Sequence, residues 1–188
     1  MITRERALRL IEEHVENKNI IKHMLATEIM MKTLAKKYEP EKEEEWGMAG
    51  LLHDGDYCES VPENMQGVQI SKWAEESGFE IPENVKHAMA AHNWHGTGVE
   101  PESKMDWALF CGDSLTGLIV AGTLVLPNKK LADLTPESVL KRFKEPSFAK
   151  GTRREDIRLC ESHLGISLEE FVRITLDAMK SISDQLGL

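Results

Sequence analysis

The chain has 188 residues, enough for one domain with a substantial buried core. Its apolar share of 41% and charged share of 29% are those of an ordinary globular protein. A formal net charge of −9 argues against duplex DNA or an anionic membrane as partner, because both are polyanions, but leaves room for a small phosphorylated substrate beside a bound metal.

Cys58, Cys111 and Cys160 are widely spaced and odd in number, so a reducing cytoplasm is expected rather than a disulfide framework. The N-terminal residues carry no signal-peptide pattern. The longest apolar run, Leu115 to Leu126, is 12 residues long. A membrane span needs about 20 residues, so the run reads as a buried core helix.

Apolar residues recur at helical spacing and no period-2 strand pattern is sustained. Thr3 is expected to cap a first helix that turns Ala7, Leu8, Ile11 and Val15 inward, with a break at 17–19. A second helix is expected from about Ile20 to Tyr38, with His23 one turn in. Pro40 opens a third, with Glu41 and Glu43 to Glu45 near its N-terminus, where negative charge is favoured. That helix ends on an adjacent His53-Asp54, and Gly55 breaks it.

A loop to about Gly67 follows, then a short helix over 68–77 and another from Pro82 to about His92. Residues 93–101 read as a loop. Ser103 with Asp106 forms a capping box for a long apolar helix that carries Asp113 and runs or kinks to Leu126. Gly112, Gly117, Ala121 and Gly122 would let neighbouring helices come close. Pro136 starts a short helix, and Thr152-x-x-Glu155 and Ser167-x-x-Glu170 are two further capping boxes. The expectation is an all-α bundle of eight or nine helices in one domain spanning 1–188, with helices over 135–188 packed on a core of about 20–126.

Three features stand out. An apolar segment ends in His53-Asp54, His23 lies 30 residues upstream in a helical pattern, and Asp113 lies 59 residues beyond Asp54 in another. An Asp within an apolar helix needs a cation, a partner or a metal, since a buried unpaired carboxylate is costly. In this order, and in the segments Ala49-Gly50-Leu51-Leu52-His53-Asp54 and Asp113-Ser114-Leu115-Thr116-Gly117, the chain resembles the HD-domain superfamily of metal-dependent phosphohydrolases, and in particular its compact HDIG-type members. The resemblance covers about Ile20 to Leu126 and departs at Gly55-Asp56, where the name-giving motif has Ile-Gly. It implies an all-α bundle, one or two divalent metals, and hydrolysis of phosphate esters, often of nucleotides.

Two imidazoles and two carboxylates, from His23, His53, Asp54 and Asp113, form a donor set that suits Mn, Fe, Co, Ni or Zn and, with its oxygens, Mg. A metal-activated water would be the nucleophile, with Asp54 bridging or taking its proton. Dinuclear members of the superfamily place a further histidine between the His-Asp pair and the last Asp, and His92 resembles it. His87 and His95 are lesser candidates for metal or substrate contact. Residues 129–158 carry nine Lys or Arg against five Asp or Glu, so Lys130 and Arg153 are expected to help hold a substrate phosphate, although a solvated basic face explains the same charge. A di-iron oxygenase and a nucleotide-binding module without catalysis are the competing expectations.

Overall fold

In the computed structural model, which describes residues 2–188, every regular element is a helix. The α-helices are α1 (Arg4–His14), α2 (Lys18–Tyr38), α3 (Glu43–Leu52), α4 (Gln69–Glu76), α5 (Glu83–His92), α6 (Trp94–Thr97), α7 (Lys104–Leu124), α8 (Pro136–Phe143), α9 (Arg154–Arg158), α10 (Leu168–Lys180) and α11 (Ser183–Leu186). No strand occurs among the described residues.

Caps explain most of the boundaries. The Thr3 hydroxyl accepts from Arg6 N–H, Thr135 from Ser138 N–H and Ser167 from Glu170 N–H. At α7 the box is complete: Ser103 accepts from Asp106 N–H, and the Asp106 carboxylate accepts from Ser103 N–H. Three local expectations change. Asn17 does not end a helix but caps the next, its side chain accepting from Asn19 N–H. The 93–101 stretch holds the one-turn helix α6. Thr152 caps nothing: Arg153 stands at the N-cap of α9 without a side-chain bond, and a single π-helical turn, Cys160–Leu164, follows before Gly165 ends the segment.

The core is one continuous cluster, and α3 and α7 run through its middle. Trp46 to Leu52 of α3 are all buried. Helix α7 is apolar and long enough by composition to cross a membrane, but 67% of its most apolar stretch is buried within the fold, as a core helix requires.

Close approach fixes α2 between them. A Cβ added at Gly50 of α3 would lie 2.8 Å from the Thr27 carbonyl oxygen of α2, and one at Gly112 of α7 would lie 2.3 Å from Met30 Cε of α2. Gly122 is in ordinary contact range of Leu134 and Arg142. Gly117 differs from the expectation, since nothing lies within 4 Å of a Cβ placed there.

Candidate metal centre

Segments of four helices converge at one place because of this packing. His23 sits one turn before Thr27 on α2, so the Gly50–Thr27 contact brings it beside His53, the residue that ends α3. Asp113 comes from the middle of α7, and His92 from the last turn of α5.

The functional atoms of His23, His53, Asp54 and Asp113 all lie within 4.8 Å of one another. His23 Nε2 is 2.8 Å from Asp113 Oδ1, 3.2 Å from His53 Nε2 and 3.6 Å from Asp54 Oδ2. His53 Nε2 is 3.5 Å from Asp54 Oδ2 and 3.6 Å from Asp113 Oδ1. Two ligands about 2.1 Å from one ion stand about 3.0 Å apart at a right angle and about 3.4 Å apart at the tetrahedral angle. The observed spacings are of that size.

Asp54 faces two ways. Its Oδ2 looks at the His23–His53 pair, and its Oδ1 lies 3.4 Å from His92 Nε2. His92 thus meets the other oxygen of Asp54, and its ring packs edge-on against that of His53, centroids 4.8 Å apart.

The rings are oriented by their other nitrogens. His53 Nδ1–H donates to Gly50 O at 2.8 Å, and His92 Nδ1–H donates to Met89 O. The Thr116 hydroxyl donates to Asp113 O at 2.8 Å, so its oxygen accepts from His23 Nδ1–H at 3.1 Å. With each Nδ1 committed as a donor, each neutral ring keeps its lone pair on Nε2. The Nε2 atoms of His23 and His53 would then meet lone pair to lone pair at 3.2 Å, beside a carboxylate. Only a proton or a metal cation between them makes that arrangement favourable.

Asp54 and Asp113 have side-chain exposures of only 17% and 27%, and among the described residues neither pairs with Lys or Arg. Burial pushes the Asp54 carboxyl up, but the charges of His53, His92 and His23 outweigh it and hold it below the usual carboxylate range. Burial also opposes ionisation of Asp113, and the His23 and His53 imidazoles beside it take it well below that range. For His92, burial lowers the imidazole, and the Asp54 partner more than reverses this and raises it. The carboxylates are therefore ionised and the site attracts a cation, whether protons or a metal.

Asp56 is wholly buried and is a fastener, not part of the cluster. Its carboxylate accepts Gly67 N–H at 2.8 Å and Ile70 N–H at 3.0 Å, closing the loop after α3. Gly67, at φ +84°, lies against the Met89 carbonyl and the His92 ring with no room for a Cβ.

The substrate-side expectations fare differently. His87 Nδ1 is 2.9 Å from Asp106 Oδ2, so it joins the cap of α7. His95, on α6, lies 3.1 Å from Asp156. Lys130 and Arg153 are exposed and line neither groove that opens on His23. One of these grooves, about 370 Å³, is instead bounded by Asp113, Ser114, Lys150 and Thr152. Its outer wall is residues 149–152, the end of a loop that Arg154 ties down by donating to the carbonyls of Phe143 and Glu145 at 2.9 Å and of Phe148 at 2.6 Å. Lys150 was not separable in the sequence from its basic neighbours. Thr116 could have been noticed, as a hydroxyl one turn past Asp113 in an apolar helix.

The chain matches no family model, no curated protein and no solved structure.

Proposed function

We propose that the cluster is the metal centre of a hydrolase that cleaves a phosphate ester. The observation that carries this reading is the pair of Nε2 atoms 3.2 Å apart, both Nδ1 atoms committed as donors, with two ionised carboxylates beside them. The donor set fits a divalent transition metal: His23, His53, Asp54 and Asp113 would hold it, with His92 at the edge of a second position. When bound there, such an ion lowers the pKa of water towards neutrality and offsets charge on a phosphoryl oxygen.

The chain's own groups do the rest. Asp54 Oδ1, turned away from the His23–His53 pair, takes the proton of the attacking water, and His92 Nε2 at 3.4 Å supports that carboxylate. The water oxygen bonds to phosphorus, the ester P–O bond breaks, and the leaving oxygen takes up the proton that Asp54 received, yielding an alcohol and, from a monoester, phosphate. Ser114, Thr152 and Lys150 line the approach and offer two hydroxyls and an ammonium to the phosphate oxygens. Thr116 and Gly50 keep the imidazoles in the orientation that leaves Nε2 free.

The test is turnover of phosphomonoesters, read as released phosphate, and of phosphodiesters, read as released alcohol and phosphomonoester, by protein loaded with Mn, Fe, Co, Ni or Zn, with oxygen consumption followed in parallel. Release that is lost in Asp54→Asn supports the reading. Oxygen uptake by the iron-loaded protein without phosphate release would replace it with oxygenase chemistry.

A further inference from the structure

The groove bounded by Asp113, Ser114 and Lys150 is one of two that open on His23. The other, about 460 Å³, also contains His23 and Gly117, so the two meet at those residues. Their linings differ in kind. The first is hydroxyl- and ammonium-bearing; the second is walled by Val120, Leu124, Leu186 and Leu188, with Asn19 and Lys22 as its polar lining besides His23.

Gly117 marks the crossing. It is exposed in mid-helix, one turn after Asp113, where glycine weakens a helix relative to alanine. The other helical glycines named above each have a neighbour that a Cβ would touch, but at Gly117 nothing lies within 4 Å. No packing in the fold asks for glycine there; a clear path between the grooves does. Leu124, which lines the second groove, is left 48% exposed, so about half of its apolar surface has no cover within the chain.

We infer that the substrate is the phosphate monoester of an aliphatic alcohol, laid across Gly117. Its phosphate faces His23, Asp113 and Lys150, and its hydrocarbon chain lies along Val120, Leu124, Leu186 and Leu188. This rests on the phosphate-ester reading above and narrows it. A nucleoside fits the second groove poorly. Bases are held by stacking on aromatic side chains, and among the described residues the only ring in that lining is the imidazole of His23. A mostly apolar pocket of this size with a few polar groups is an ordinary small-molecule site.

The test is titration of metal-loaded protein with ethyl, butyl and hexyl phosphate and with adenosine monophosphate, alongside phosphate release from each. A fully buried methylene contributes about fourfold in affinity, so hexyl phosphate is expected to bind at least about tenfold more tightly than ethyl phosphate even if its chain is half covered. In Leu124→Ser and in Gly117→Leu the hexyl-to-ethyl ratio should fall towards one. Leu124 is half exposed, so its replacement leaves the core intact, and bound metal in both variants reports that the cluster still forms. A ratio near one in the unaltered protein, or tighter binding of adenosine monophosphate than of hexyl phosphate, would overturn the inference. Self-association that Leu124→Ser abolishes and hexyl phosphate leaves untouched would also overturn it, placing a second copy on the groove. The two readings fail separately. Chain-length-dependent binding without phosphate release removes the hydrolase and keeps the groove's ligand, while equal release from ethyl and hexyl phosphate removes the groove's role and keeps the hydrolase.

Discussion

Replacing Gly50 with alanine would put a methyl group into the backbone of α2. The new Cβ would stand 2.8 Å from Thr27 O, 2.9 Å from Thr27 C and 3.0 Å from Glu28 Cα, where ordinary contact begins at 3.4 Å. All three neighbours are backbone atoms, so no side chain can turn aside and the helices must part by about 0.6 Å. Overpacking of this kind costs about 1–3 kcal/mol, and alanine returns about 1 kcal/mol in helix propensity. The net loss for the metal-free fold is then about 0–2 kcal/mol, or up to about 8 °C in Tm for a chain of this length. The metal site should suffer more, because His23 and His53 ride on the two parted helices and metal–ligand distances tolerate only about 0.2 Å. An ion at 100 times its Kd stabilises by about 2.7 kcal/mol, and tenfold weaker binding removes about 1.4 kcal/mol of that. Thermal melts of Gly50→Ala with and without metal should therefore show the metal-induced rise shrinking by at least about 3 °C beyond the change in the metal-free Tm. An unchanged metal-induced rise would refute the claim that the α2–α3 spacing sets the site.

Asp56→Ala should leave the amides of Gly67 and Ile70 without acceptors, at about 1–3 kcal/mol each, with faster hydrogen exchange at both; an unchanged melt would remove Asp56's fastening role. His87→Ala should cost at most about 1 kcal/mol, since His87 is 36% exposed and the buried Asp106 carboxylate keeps the amides of Glu102 and Ser103, and should leave metal content untouched; lost metal would place His87 in the site. In chelator, the protein should be most stable in mildly acidic buffer. Asp54 and Asp113 are depressed, so their contribution is complete above the ordinary 3.8 and is lost as pH falls through their lower folded values. His92 is raised, so its contribution is complete below the ordinary 6.5 and is lost as pH rises through its folded value. With metal present the alkaline loss should vanish, because the ion takes the protons' place; metal-free melting points that climb steadily to pH 9 would contradict this.

The helices were legible wherever periodicity and a cap agreed, as at Thr3, Ser103 and Ser167. Thr152 misled because the guanidinium of Arg154 gathers the carbonyls around it, a long-range arrangement that no local pattern encodes. Asp113 could be picked out because a carboxylate in an apolar helix demands a partner, and His23, His53 and Asp54 by their order along the chain; the fold brings all four together. Lys130 stood out by charge and Arg153 by charge and its place at an expected helix start, and neither says which basic side chain a loop turns inward; the groove has Lys150. Gly117 read as a packing glycine because spacing cannot distinguish a helix that approaches from one that leaves a gap.

Everything proposed for this chain rests on metal binding by His23, His53, Asp54 and Asp113. The most direct measurement is metal content per chain by elemental analysis, after loading with a divalent transition metal and exhaustive dialysis, for the unaltered protein and for His53→Ala. At least one ion per chain is expected in the first and a loss of one ion per chain in the second. No retained ion in the unaltered protein, or equal retention in both, would contradict it.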